Sequence, residues 1–176
     1  MTNKNLKTTL KAWPIIAAAT IGLCFLTKAV ADLMGVELPD QQSVDIVRKS
    51  LLRAFESKQT FIYCATLIVQ VLVVMPALEE VVFRWLMACL PLRIAGKWRK
   101  PASGTATWSL AALSSALFSA AHYIAQPFPD AAFFALFFFG LAQCWLYRRT
   151  DRIWCPMLNH CLFNLTNIVL LFVLPE

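Results

Sequence analysis

The stretch FIYCATLIVQVLVVMPALEEVVFRWLMACLPL, residues 61–92, decides how the chain is read. It is apolar almost throughout, apart from Gln70 and a cluster of Glu79, Glu80 and Arg84, and Pro76 interrupts it near the middle. A bilayer's hydrocarbon core is about 30 Å thick and takes about 20 apolar helical residues to cross. The run is too long for one straight span and short for two. A proline in a helix interior removes a hydrogen bond and bends the chain, so the run predicts two helical pieces joined at or near Pro76.

The rest of the 176 residues shares this character. Hydrophobic residues make up 59% and charged residues 15%, against about 45–50% and about 25% in soluble domains, and the mean hydropathy is +0.62. That composition is a membrane protein's, and no separate soluble catalytic domain fits beside its spans. The net charge of +6 does not point to nucleic acid, because Lys and Arg cluster at the ends of apolar segments without a recognition motif. Six cysteines, Cys24, Cys64, Cys89, Cys144, Cys155 and Cys161, lie in or beside apolar segments with no CxxC pair. They read as small buried hydrophobes rather than a disulfide framework.

Outward from the central run, a first apolar segment covers about Ala12 to Val30 behind Lys4, Lys7 and Lys11. It reads as a signal anchor, although its Ala29-Val30-Ala31 end also fits a cleaved signal peptide. Residues 32–58 change to mixed charge, and Val44, Val47, Leu51 and Phe55 recur at helical spacing, which predicts an amphipathic helix on the membrane surface. After a basic loop with Arg93, Lys97, Arg99 and Lys100, spans are expected at about Thr105–Ala125 and Ala131–Tyr147, separated by QPFPD, 126–130. Arg148, Arg149 and Arg152 precede a last span at about Ile153–Leu174. The fold expected is an all-α, polytopic transmembrane bundle of five to six spans with a kinked central helix. Residues 1–58 form its anchor and connector and residues 59–176 its core. The positive-inside rule assigns the basic loops and the N-terminus to the cytoplasm, which holds only if the 61–92 run makes one net crossing. Trp13, Trp145, Trp154 and Tyr147 read as interfacial anchors, and the phenylalanines of 133–139 as lipid-facing or packing residues.

The ionisable residues inside the spans carry the functional reading. A charged side chain at mid-bilayer costs roughly 2.5–3.5 kcal/mol on translocon scales, so such groups need partners or a wet cavity. The two histidines of the chain, His122 and His160, fall in spans and join Glu79, Glu80 and Arg84 from three segments. Glu80 and Arg84 are four apart and can pair on one helix face. Glu79 points about 100° away and is free of that arginine. Phe118 and His122 share a face, as do His160 and Asn164. One free carboxylate, two imidazoles and a carboxamide suit peptide hydrolysis: proton abstraction from water, protonation of the leaving nitrogen and stabilisation of an oxyanion. No GxSxG elbow or HExxH helix is present. Cys161 as a thiol nucleophile is disfavoured by its apolar surroundings. Gln70 and Gln143 read as interhelical hydrogen-bonders. Counted from the basic loops at about 1.5 Å per residue, His122 lies roughly 12 Å deeper than His160.

The motifs EEVVFR (79–84), FSAAH (118–122) and HCLFN (160–164) resemble the EExxxR, FxxxH and HxxxN signatures of the CPBP family, which includes CAAX prenyl endopeptidases and bacteriocin-processing proteins. The resemblance covers about Gln59 to Val173. It implies Glu79 as general base acting with His122 on water, His160 and Asn164 lining the oxyanion hole, and Glu80 and Arg84 as architecture. It implies a glutamate-dependent mechanism without metal, zinc on Glu79, His122 and His160 being the alternative. The substrate would be a membrane-anchored protein or peptide cut near its C-terminus, as by the myxosortase-like proteases that some short bacterial members resemble, at a bacterial inner membrane. The competing readings are a non-catalytic immunity or assembly factor of the same fold and, less directly, a proton-coupled transporter.

Overall fold

The computed structural model describes residues 3–39, 42–53, 56–98, 104–124 and 130–173, which are α-helical with short connections and contain no strand. The helices are α1 (Asn3–Leu33), α2 (Gln42–Leu52), α3 (Lys58–Ile94), α4 (Gly104–Ala121), α5 (Ala132–Thr150) and α6 (Trp154–Val173). A single 3₁₀ turn, His122–Ile124, follows α4.

Three helices, α1, α3 and α6, are long and apolar enough to cross a membrane. Of the five to six spans expected, three meet that measure by length and composition, and the protein is an integral, multi-pass membrane protein. The other two long helices fall short for a visible reason. The 18-residue α4 carries Thr105, Thr107, Ser109, Ser114, Ser115 and Ser119, and the 19-residue α5 holds Gln143 and ends in Arg148 and Arg149. Outward-facing Ile15, Phe25, Phe61, Ile62, Val73 and Leu78 are all exposed, as lipid-facing side chains must be.

The central run is one helix of 37 residues, about 55 Å long, not two pieces joined at Pro76. Ser57 opens it, accepting the Thr60 N–H at 3.0 Å, a serine N-cap. Two stretches, Gln70–Val74 and Glu80–Cys89, are widened to π geometry, and each ends just before a proline, Pro76 and Pro91. In an α-helix the proline ring collides with the carbonyl four residues back. Widening the turn moves that carbonyl aside, so the helix continues through a buried Pro76. Sequence rules for α-helices miss this solution, which occurs mostly as short bulges inside longer helices.

The helix ends meet at one basic end of the bundle. Asp151, left-handed at φ 52°, closes α5 and accepts the Trp98 Nε1–H at 2.9 Å while pairing with Arg93. Asn5 at the start of α1 donates to the Thr150 carbonyl at 3.5 Å. The loop after α3, the α5–α6 turn and the lysine-rich start of α1 are therefore neighbours, and α3 makes one net passage between ends. Ala12, Ile16 and Ala17 of α1 pack with Phe118, Phe139, Leu146, Cys155 and Phe163 in the main core. Trp13 joins that core and donates to Thr166 Oγ1 at 3.2 Å, and Tyr147 is buried against Trp98. Tyr147, at 3% exposure, is not the interfacial anchor its position suggested. The amphipathic helix is present as α2, tied to α3 by Cys64 Sγ on the Ser50 carbonyl at 2.9 Å. Phe55 lies outside the described residues, as do the side chain of Val44 and residues 126–129 of the QPFPD turn.

Helices α4 and α5 approach so closely at Gly140 that an added Cβ would lie 2.8 Å from Ser115 Cβ and 3.1 Å from its Cα. Gly140→Ala gains up to about 1 kcal/mol of helix propensity, but overpacking against atoms that cannot rotate away costs about 1–3 kcal/mol. A lowered midpoint in detergent unfolding is the expected result; an unchanged or raised midpoint would show that the two helices are free to separate.

Candidate active site

The site is built where α3, α4 and α6 meet. Glu80 and Arg84 are wholly buried, and Arg84 Nε lies 3.2 Å from Glu80 Oε2, the pair their spacing of four residues predicts. The other Glu80 oxygen, Oε1, lies 3.0 Å from His160 Nδ1. His160 Nε2 in turn lies 3.5 Å from Glu79 Oε2, beyond ordinary hydrogen-bond length. The two nitrogens of one imidazole thus face two adjacent carboxylates. Glu79 is clear of Arg84 as expected, but not isolated: the π stretch begins at Glu80, and a wider turn separates successive side chains by a smaller angle. Exposure distinguishes the pair, since Glu80 is 0% exposed and Glu79 is 19%.

Phe118 organises the centre. Its ring is fully buried, with the Arg84 guanidinium carbon 4.3 Å from its centroid, a cation–π contact. His122 packs edge-on at 4.7 Å and His160 at 5.9 Å between centroids. Both histidines therefore pack on one aromatic ring. Helix α6 begins inside the protein, with Cys155 and Pro156 already buried. His122 Nδ1 lies 2.9 Å from the Phe118 carbonyl; donation there leaves Nε2 as the ring's acceptor. No hydrogen bond or ion pair joins His122 to Glu79 among the described residues.

Asn164 takes an unexpected partner, donating from Nδ2 to the Val71 carbonyl at 2.8 Å. The Met75 N–H bonds to Gln70 instead, and Pro76, next in line, has no N–H. Asn164 satisfies the carbonyl that the proline orphans. Ser114 on α4 donates its hydroxyl to the Phe83 carbonyl in the second π stretch. Asn164→Ala should lower unfolding stability by about 0.5–1.5 kcal/mol, the net worth of one hydrogen bond; denaturant unfolding in detergent measures it, and unaltered stability would remove this role.

One residue at the site, Phe139, is not singled out by the sequence. Phe139 packs on His160 with centroids 4.9 Å apart, whereas Phe134 and Phe138 on the same helix are exposed. The run FFALFFF gives no sign of which phenylalanine turns inward; the adjacent Gly140 is the one local clue. Gln143 donates to Asn159 Oδ1 at 2.8 Å with both side chains buried, an interhelical bond as expected, one residue before His160. Among the described residues no three His, Cys, Asp or Glu side chains converge as metal ligands.

A membrane helix bundle that converges carboxylates and an imidazole inside itself is the arrangement of an intramembrane hydrolase of the glutamate/histidine type. Residues 60–166 match the Rce1-like type II CAAX prenyl endopeptidases, and the chain belongs to that family: it is a membrane-embedded peptide hydrolase. The matched stretch takes in α3 to α6 up to Thr166 and leaves out α1, although α1 contributes to the same core. No individual curated protein and no solved structure matches the chain.

Proposed function

We propose that the chain is a five-crossing intramembrane endopeptidase in which Glu79 activates water to cut a membrane-anchored protein or peptide near its C-terminus. The observation that carries the reading is the division between adjacent carboxylates: Glu80 is sealed with Arg84, whereas Glu79 keeps exposed surface beside His160 Nε2. Glu79 accepts the water proton as the oxygen attacks the scissile carbonyl. His122, accepting at Nε2, positions that water, and the proton taken up by Glu79 is then delivered to the departing nitrogen by way of His122 Nε2. The tetrahedral oxyanion is held by His160 and by the Asn164 N–H not used on Val71. The products are a carboxylate and an amine, with no step through a metal.

The basic end of the bundle, with Lys4, Arg93, Arg148 and Arg152, faces the cytoplasm on this reading, and all five long helices cross a bacterial inner membrane. The short α4 and α5 are matched to the membrane by packing and by tilt of their neighbours.

The test is cleavage of a panel of single-span peptides with varied C-terminal extensions in proteoliposomes. Wild type should cleave, a chelator should change nothing, and His122→Ala should lose about 10²–10⁴-fold in rate with an unchanged unfolding midpoint. Full activity in a folded His122→Ala would contradict the assignment of that histidine, and loss with chelator would contradict the metal-free chemistry. A non-catalytic assembly factor would leave every peptide intact.

A further inference from the structure

A cavity separate from the Glu79–His160 contact lies between α3, α4 and α5, lined among others by Arg84, Arg148, Thr107, Trp98 and Trp108. Arg84 Nε faces Glu80, which leaves Nη1 and Nη2 buried without a hydrogen-bond partner among the described residues, and Arg148 Nη1 is in the same condition. The Phe118 ring lies against Arg84, but an aromatic ring does not replace the in-plane acceptors that guanidinium N–H groups require. Leaving charged donors buried and unpaired is costly. No carboxylate lines the cavity, and Glu80, the partner of Arg84, is already shared with His160.

Water could accept from these donors, but it would leave Glu80 as the sole counter-charge of Arg84 and add none beside Arg148; an anion supplies both the acceptor and the charge. The free volume is about 10 Å³, room for one water-sized occupant. We propose that this cavity is an anion site between Arg84 and Arg148, accepting a single water-sized anionic atom: a halide ion or one oxygen of a carboxylate. Its occupant shares the Arg84 charge that Glu80 otherwise balances alone.

The test uses the full chain in nanodiscs at constant ionic strength, with isethionate, too bulky for the cavity, replaced stepwise by chloride or by acetate. Thermal midpoint and tryptophan fluorescence are followed, since Trp98 and Trp108 line the cavity. Wild type should respond saturably, by mass action on the folded state, and Arg148→Gln should need about tenfold more anion. A response to chloride identifies a dissolved halide as occupant; a response to acetate alone identifies a carboxylate. No saturable response to either, or an Arg148→Gln titration like that of wild type, would overturn the proposal in favour of water alone. Bromide-soaked crystals provide a measurement independent of the variant, in which an anomalous peak between the two guanidinium groups is expected and its absence contradicts the site. Glu79→Gln should titrate like wild type, so a failure here is distinguishable from a failure of the catalytic reading.

Discussion

Glu79→Gln should reduce peptide cleavage by about 10³-fold or more while leaving the bundle folded. The substitution is isosteric and removes only the capacity to take a proton, and general base catalysis contributes about 10²–10⁴-fold where a positioned side chain performs it. The fold has little to lose at this position. Glu79 retains exposed surface, and its contact with His160 Nε2 at 3.5 Å is longer than a hydrogen bond. Single-turnover rates in proteoliposomes together with unfolding midpoints check the prediction. A cleavage rate equal to wild type would remove Glu79 from the chemistry.

Glu80→Ala should have the opposite profile, with the largest loss of stability of any single substitution in the site. Arg84 and His160 share this one carboxylate, at 3.2 and 3.0 Å, and all three side chains are buried. Removing one member of a buried ion pair costs about 3–5 kcal/mol, because the remaining charge keeps its desolvation penalty without its partner. Native proteins have only about 5–15 kcal/mol in total, so little folded Glu80→Ala protein should survive extraction. The paired variant Glu80→Leu with Arg84→Met should recover much of the loss, since apolar replacements of similar volume often match a buried ion pair. Size-exclusion yield and thermal midpoints separate the cases. If Glu80→Ala is as stable as wild type, the pair is not structural.

The sequence discloses the class of fold and the identity of the polar groups more readily than their relations. Apolar composition makes a helical membrane protein unavoidable, and the spacing of four residues between Glu80 and Arg84 predicts a pair that the structure contains. What fails is arithmetic that assumes ideal helices. Pro76 was expected to join two helical pieces at a kink, but a π turn and the Asn164 side chain absorb its missing N–H. The same widening brings Glu79 and Glu80 to opposite nitrogens of His160, a relation that 3.6 residues per turn does not suggest. Depth counted along upright helices does not disclose that α6 starts within the protein or that His122 and His160 both pack on Phe118. The inward turn of Phe139 and the docking of Trp13 on Thr166 depend on which helices become neighbours, and local pattern carries no record of that.

The central claim, that water activated at Glu79 is the nucleophile, is tested most directly by a single turnover of wild-type enzyme on a membrane-anchored peptide in water enriched in oxygen-18. The account predicts one labelled oxygen in the new C-terminal carboxylate of the product and none in the enzyme peptide that contains Glu79. Label appearing on Glu79, with an unlabelled first product, would make that carboxylate the nucleophile and contradict it.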